Sequence, residues 1–254
     1  MTDFFDSLNG KRVLITGSSR GIGKAMAIGF AKCGASVIVH GIKESNELMS
    51  TLEEVRKFSP QSVSVCGDLL DKDAVENIYR DAVEKLGGVD ILICNASIQI
   101  KTPWLEVTYE EAEKQLQVNF LSTLRLIQLC VTDMTKNGGG IVVTIGSVQE
   151  VKPHPDMLVY SASKSALVNM VKSLALQVAD KNITVNNIAP GTIYTDRNIK
   201  ALSNEAYHEK VKNDTPMKKI GEPEDCVGLT LMLCTDACSF ITGEDIFIDG
   251  GKHI

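Results

Sequence analysis

The chain has 254 residues, with 26 Lys and Arg against 32 Asp and Glu, a formal net charge of −6. Hydrophobic residues at 44% and charged residues at 23% are ordinary for a globular protein, and the acidic balance removes the basic face that a general nucleic-acid binder needs. No apolar run approaches the ~18 residues of a membrane span, and Met1-Thr2-Asp3-Phe4-Phe5-Asp6 is too acidic and too poor in apolar residues for a secretory signal. The seven cysteines, at 33, 66, 94, 130, 226, 234 and 238, form no Cys-x-x-Cys pair. Together with His40, His154, His208 and His253 they show no metal-ligand spacing, so no metal is expected. These features lead us to expect a soluble, cytoplasmic protein with buried free thiols.

Along the chain, short β-branched runs alternate with longer amphipathic stretches, the pattern of a parallel sheet with crossover helices. Strands are expected at Val13–Thr16, Ser36–His40, Ser62–Cys66, Asp90–Cys94, Ile141–Ile145, Thr184–Ile188 and Asp245–Ile248, most of them solidly apolar as in strands covered on both faces. After the first strand, Ile22, Met26, Phe30 and Cys33 recur at helical spacing, and Gly34 stands where a helix-ending glycine belongs. Asp71 is the expected N-cap of a helix whose Ala74, Val75, Ile78, Ala82, Val83 and Leu86 share one stripe. Thr108 with Glu111 forms a capping-box pattern opening one long helix to about Lys136, and Asn137-Gly138-Gly139-Gly140 ends it. Without repeats or linkers, residues 1–254 read as a single α/β domain, a doubly wound Rossmann fold of about seven parallel strands.

The first strand runs into Thr16-Gly17-Ser18-Ser19-Arg20-Gly21-Ile22-Gly23, and a helix follows. Strand, glycine turn and helix N-terminus make an anion site, because backbone N–H groups and the helix dipole face the ligand. The stretch Ser18–Ala25 approaches a nucleoside-triphosphate loop but has Ser18 for its first glycine and Ala25 for its magnesium-holding hydroxyl. A dinucleotide suits the spacing better, with Gly17, Ser19, Arg20, Gly21 and Ile22 facing it. An Asp or Glu ending the second strand would favour NAD. Here Val39-His40-Gly41-Ile42-Lys43 contains no acid, and Arg20 and Lys43 can face a 2′-phosphate. NADP is therefore favoured, with NAD the alternative, and an Asp introduced at His40 should reverse the preference.

Tyr160-Ser161-Ala162-Ser163-Lys164 sets a phenol and an ammonium one helical turn apart. A fixed cation stabilises a phenolate, so such a tyrosine can serve as acid or base. Ser147 lies just beyond an apolar strand, at the edge where an open sheet presents ligand groups, and Asn95-Ala96 and Pro190-Gly191 fall at the same edge. Asn119 sits inside the long helix, where asparagine competes for backbone hydrogen bonds.

With Asp68 after the third strand and the tail Thr242-Gly243…Asp249-Gly250-Gly251, these elements resemble the short-chain dehydrogenase/reductase family in order and spacing over nearly the whole chain. The resemblance implies that Tyr160 gives or takes the proton, Ser147 hydrogen-bonds the reacting oxygen, and Asn119 anchors a relay water. By the same resemblance Lys164 holds the nicotinamide ribose and lowers the Tyr160 pKa. It further implies cofactor contacts from Asp68 and Leu69 at the adenine, from Asn95, Ala96 and Ser97, and from Pro190, Gly191, Ile193 and Thr195 toward the nicotinamide. Two positions depart from the family pattern. Ser97 follows Asn95-Ala96 where a glycine is usual, and Ile42 with Lys43 stands where NADP-dependent members carry an arginine.

The polar segment 192–215 corresponds to the family's substrate lid. Gln99, Gln149 and Tyr194 are expected to meet the substrate with Ser147 and Tyr160, and Trp104, His154 and Met157 are further pocket candidates. Asn95-Ala96-Ser97-Ile98-Gln99, Thr215-Pro216 and Gly221-Glu222-Pro223 look like gluconate- and glucose-dehydrogenase relatives, while much of the chain is equally similar to 3-oxoacyl-[acyl-carrier-protein] reductases. The expected partner is a small carbonyl or alcohol, preferentially a polyol, sugar or sugar acid; a non-catalytic NADP-sensing module is the competing class. The apolar breadth of Leu116–Val131 and of the Tyr160 helix exceeds the single stripe that a helix on its own sheet needs, which predicts a homotetramer.

Overall fold

The computed structural model describes residues 4–254, so the first half of the acidic N-terminal segment, Met1 to Asp3, lies outside the described residues. Seven strands form one parallel sheet in the order β3-β2-β1-β4-β5-β6-β7. They are β1 (Arg12–Ile15), β2 (Ser36–Gly41), β3 (Val63–Cys66), β4 (Ile91–Cys94), β5 (Gly140–Ile145), β6 (Ile183–Pro190) and β7 (Asp245–Ile248). Each expected strand is present, the larger extensions being those of β6, which gains Ile183, Ala189 and Pro190. The order reverses between β1 and β4, opening a crevice beyond their carboxyl ends.

Residues alternate between two cores. Leu14, Ile38, Leu92 and Val142 pack under α3 (Ala74–Leu86), α5 (Ser122–Lys136) and α6 (Leu158–Val178). Val13, Ile15, Val37, Val39, Ile91 and Ile93 pack on the other face under α1 (Gly21–Lys32), α2 (Asn46–Arg56) and α9 (Val227–Leu233). Strands covered on both faces can be apolar at every position, which is why their runs lack polar alternation. The Arg12 guanidinium and backbone N–H both hold Asp90, fixing the start of β1 against the strand that pairs with it out of sequence order.

Three helical expectations are corrected. Asp71 does not cap α3; its carboxylate accepts from the Asp73 amide at 3.0 Å in a local turn, and the helix begins at Ala74 with Asp73 in the cap position. The helix α2 is not foreseen, because apart from Leu48, Met49, Thr51, Leu52 and Val55 its surface is polar. The long helix divides into α4 (Tyr109–Leu116), a π-turn at Gln117–Leu121 and α5, although its capping box at Thr108 and Glu111 forms as expected. Its apolar surplus is also mostly covered by the chain. Val118, Leu126, Ile127 and Cys130 are buried, Phe120, Leu124, Leu129 and Val131 are half-buried, and Leu116 and Leu121 remain exposed. On α6, Leu167, Met170, Val171, Ala175 and Val178 are buried while Leu176 is exposed. Two short helices, α7 (Asp196–Leu202) and α8 (Glu205–Asn213), span much of the segment between β6 and α9.

Candidate active site

The crevice holds a cavity of about 540 Å³ that runs from the glycine turn to the C-terminal segment. At one end Gly21, Ile22 and Gly23 open α1, and Arg20 in the cap position makes no side-chain cap, so the helix N-terminus is presented to the cavity. Close packing forces glycine at two places here. Gly17 has φ +62°, and a Cβ there would come 2.9 Å from the Ala96 Cα; a Cβ on Gly23 would stand 2.5 Å from the Gly17 carbonyl. Asn95 locks the turn from β4, donating from Nδ2 to the carbonyls of Thr16 and Gly17 at 2.9 and 3.0 Å, while the Thr16 hydroxyl accepts the amides of Asn95 and Ala96. An open helix N-terminus facing a cavity of this size fits a dinucleotide pyrophosphate.

His40 also acts on the turn. Its Nδ1 accepts the Gly17 amide at 3.0 Å and its Nε2 faces the Gly67 carbonyl at 3.0 Å, which assigns the neutral tautomer protonated on Nε2. Burial drives its pKa down to about 4, with the Gly67 carbonyl opposing. Gly41 and Ile42 line the cavity beyond it, with Asp68 and Leu69 opposite. Lys43 is exposed and does not line the cavity, because the chain turns outward after β2; Arg20, weakly paired with Asp196 at 3.9 Å, is the cation at this rim.

At the other end Ser147, Tyr160 and Lys164 come together. Ser147 follows β5 in an extended conformation, and its hydroxyl accepts the Gln149 amide at 3.2 Å. Tyr160 and Lys164 project from one face of α6 and are almost wholly buried. Lys164 Nζ donates to the Ile145 carbonyl at 2.7 Å and lies 5.7 Å from the centre of the Tyr160 ring. Burial pushes the Tyr160 phenol above its ordinary pKa; the Arg197 charge and the Ser147 hydrogen bond oppose it without overcoming it. The expected lowering by Lys164 is therefore not found. Lys164 is itself pushed down to about 7, first by burial and then by Arg197.

Asn119 lies in the π-turn and does not line the cavity. Its Oδ1 accepts the Ile98 amide at 2.8 Å, and its Nδ2 donates to the Ile98 carbonyl and the Ser163 hydroxyl at 2.9 and 3.1 Å. It thereby fixes the loop after β4 against α6, behind the Tyr160 turn. Ser19, Ala96, Ser97, Pro190, Gly191, Ile193 and Thr195 line the cavity as expected, as do Gln99, Gln149, His154 and Met157. Gln149 is already engaged, donating to Met157 Sδ and accepting from the Ser161 hydroxyl. Tyr194 and Trp104 do not line the cavity; Tyr194 precedes α7 and is half-exposed, and Trp104 lies in an exposed turn. Tyr207 of α8 lines it instead, with Lys152, Arg197 and Lys252, none of which spacing alone singles out.

The profile of the family described as Enoyl-(Acyl carrier protein) reductase matches residues 17–253. The bovine dehydrogenase/reductase SDR family member 4 is 36% identical over 251 residues, spanning 96% of this chain and 88% of its own. The chain belongs to the short-chain dehydrogenase/reductase family of oxidoreductases. Glucose 1-dehydrogenase of Gluconobacter oxydans is 34% identical over 97% of this chain and 93% of its own. A 3-oxoacyl (acyl-carrier-protein) reductase from Agrobacterium tumefaciens, solved with NADP bound, superposes with a TM-score of 0.93 at 36% identity, covering 99% of this chain and 97% of its own. Short-chain dehydrogenase/reductase membership accounts for why one cavity joins an anion-binding helix terminus to a buried tyrosine.

Proposed function

We propose that this protein transfers a hydride between NADP(H) and a carbonyl or secondary alcohol, with Tyr160 as acid and base and a polyol, sugar or sugar acid as substrate. The observation that carries the reading is the buried Tyr160, with Ser147 at its hydroxyl and Lys164 beneath its ring, at the far end of the cavity that begins at the α1 N-terminus. The bound nicotinamide supplies or accepts the hydride. Ser147 and Tyr160 hold the reacting oxygen, and Tyr160, whose raised pKa keeps it protonated near neutrality, delivers its proton as negative charge develops there. Lys164, tied to Ile145, holds the nicotinamide ribose, and the Arg197 charge and the Ser147 hydrogen bond stabilise the phenolate left behind. Asn119 acts by positioning the Ile98 segment and α6.

Gly17, Ser19, Arg20, Gly21 and Ile22 hold the pyrophosphate side of the cofactor, and Asp68, Leu69, Asn95, Ala96, Ser97, Pro190, Gly191, Ile193 and Thr195 line the rest of its path. NADP over NAD is favoured by Arg20 at the rim, by the absence of an acid between Val39 and Lys43, and by the NADP held in the Agrobacterium relative. We read residues 1–254 as one domain, 192–215 as its lid, the working assembly as a homotetramer, and the setting as cytoplasmic, where buried thiols such as Cys94 and Cys234 stay reduced. A 3-oxoacyl-type ketoreductase is the second reading, favoured by the same Agrobacterium relative.

Turnover of a panel of sugars, sugar acids, polyols and acetoacetyl-coenzyme A with NADP(H) and NAD(H) tests these readings. Tyr160→Phe keeps the ring volume but removes the proton donor, so we expect kcat to fall by ~10²-fold or more while NADPH still binds. Turnover within tenfold of the parent would rule out the assigned role.

A further inference from the structure

The Tyr160 end of the cavity carries more positive charge than proton transfer uses. Arg197, Lys252 and Lys152 line it in addition to Lys164, with the neutral His154 beside them. Arg197 Nη2 donates to the Ser97 carbonyl and hydroxyl at 2.7 and 3.0 Å. Lys252 Nζ donates to the Thr192 hydroxyl at 2.9 Å, and Lys152 Nζ to the Lys252 carbonyl at 2.7 Å. All three cations are anchored on neutral oxygens, and among the described residues none of them has a carboxylate in ion-pair range.

Three of the nearby acids are committed elsewhere. Asp249 accepts from the Gly251 and His253 amides and from the His253 ring at 2.9, 2.6 and 2.9 Å. Asp196 faces Arg20 at the cofactor rim. Glu150 sits behind Ser147, where burial and the charge of Asp245 hold it in the uncharged form. Burial, then Lys101, Lys210 and Lys252, hold the His154 pKa down against Asp156, and burial with Lys152 lowers that of Lys252 against Asp214 and Asp249. In a chain of net charge −6, this end of one cavity is locally cationic.

We propose that the substrate carries a carboxylate bound by Arg197 and Lys252, so that the protein interconverts an oxo acid and the corresponding hydroxy acid. Arg197 is held by Ser97 through Nη2 and also hydrogen-bonds the Tyr160 phenol, which sets its planar fork beside the reacting group, where a substrate carboxylate can take up its remaining N–H groups. The Ser97 hydroxyl is one of the two oxygens that seat the guanidinium. This inference rests on the oxidoreductase reading above. In the reductive direction the C=O π bond breaks, NADPH gives the hydride that forms the C–H bond, Tyr160 passes the proton that forms the O–H bond, and the carboxylate is unchanged.

Calorimetry on the NADP⁺-loaded protein compares D-gluconate with its neutral analogue sorbitol. We expect gluconate to bind about tenfold tighter or more, and that advantage to collapse in Arg197→Ala and to shrink in Lys252→Met. Equal affinity for gluconate and sorbitol overturns the proposal, as does an unchanged ratio in Arg197→Ala. So does a loss of NADPH affinity in that variant as large as its loss for gluconate, which would assign the guanidinium to the cofactor. Reduction of 4-oxopentanoate against its methyl ester provides the kinetic counterpart, with the acid favoured in kcat/KM and the ratio lost in Arg197→Ala. Equal turnover of acid and ester defeats the inference while leaving the oxidoreductase reading intact. Turnover of no member of the wider panel, with gluconate still bound preferentially, defeats the oxidoreductase reading alone.

Discussion

Three residues turn the local chemistry of the site into measurable behaviour. His40 is engaged on both ring nitrogens, so an Asp there would bury a carboxylate and leave the Gly67 carbonyl without its donor. Gly41 ends β2 on the cavity wall, and a Cβ there meets the buried Leu48 side chain at 3.2 Å, which must shift by a few tenths of an ångström to admit it. The acid that repels a 2′-phosphate therefore belongs at Gly41, and we expect Gly41→Asp to raise KM for NADPH at least about tenfold relative to NADH. An unchanged ratio of the two KM values would refute this. Glu150, pushed up to about 8 by burial and Asp245, keeps its proton in the folded state and loses it in the unfolded chain above the usual ~4.3. Its contribution to stability is present below about pH 4 and is lost as pH rises through about 8. Urea midpoints should therefore decline from pH 5 to pH 8.5 in the parent, and Glu150→Gln should flatten that decline. Gly17, Ser147, Tyr160 and Lys164 were legible in the sequence because each belongs to a short motif whose spacing fixes its geometry. Arg197 and Lys252 were not, because Arg197 gains its role from Ser97, 100 positions away, and Lys252 from Thr192.

At the level of elements, apolar period and turn residues located every strand, since strands buried on both faces leave an unmistakable run. Helix ends were less legible. Asp71 and Asp73 offer equivalent carboxylates, and the choice between them depends on the turn that precedes α3. The π-turn at Gln117–Leu121 was half legible: Asn119 signalled competition with helical hydrogen bonding, but the partner that makes a wider turn worthwhile, the Ile98 backbone, comes from a distant loop. Asn119→Ala strips that segment of an acceptor and a donor at once. We expect a loss of about 2–4 kcal/mol in urea unfolding at matched protein concentration, together with reduced turnover. A loss below about 0.5 kcal/mol would show that the Ile98 groups find other partners.

For the whole molecule, Leu116, Leu121, Leu158 and Leu176 on the helices α4 to α6, and Met232 and Phe240 near the C-terminal edge of the sheet, are large apolar side chains left in solvent by a single chain. Two such surfaces suit two kinds of two-fold contact and hence 222 symmetry. Light scattering at micromolar concentration should give about four times the 27.6 kDa of one chain. A species of one-chain mass alone would exclude the tetramer, and Phe240→Asp should shift the population toward dimers if the β7 end forms one of the contacts.

The position of β1 between β2 and β4 also governs how the chain must be made. Val13, Leu14 and Ile15 pair on one side with Val37, Ile38 and Val39 and on the other with Ile91, Leu92 and Ile93. On a ribosome adding ~5–20 residues per second, the second partner follows the first strand by roughly 4–15 s. Throughout that interval the β4-facing edge of β1 has no neighbour, and an unpaired parallel edge is a template for other chains. This edge of the nascent protein is therefore exposed to aggregation until β4 emerges, so a pause in translation just ahead of Ile91 would prolong the hazard, whereas one placed after β4 has left the ribosome would not.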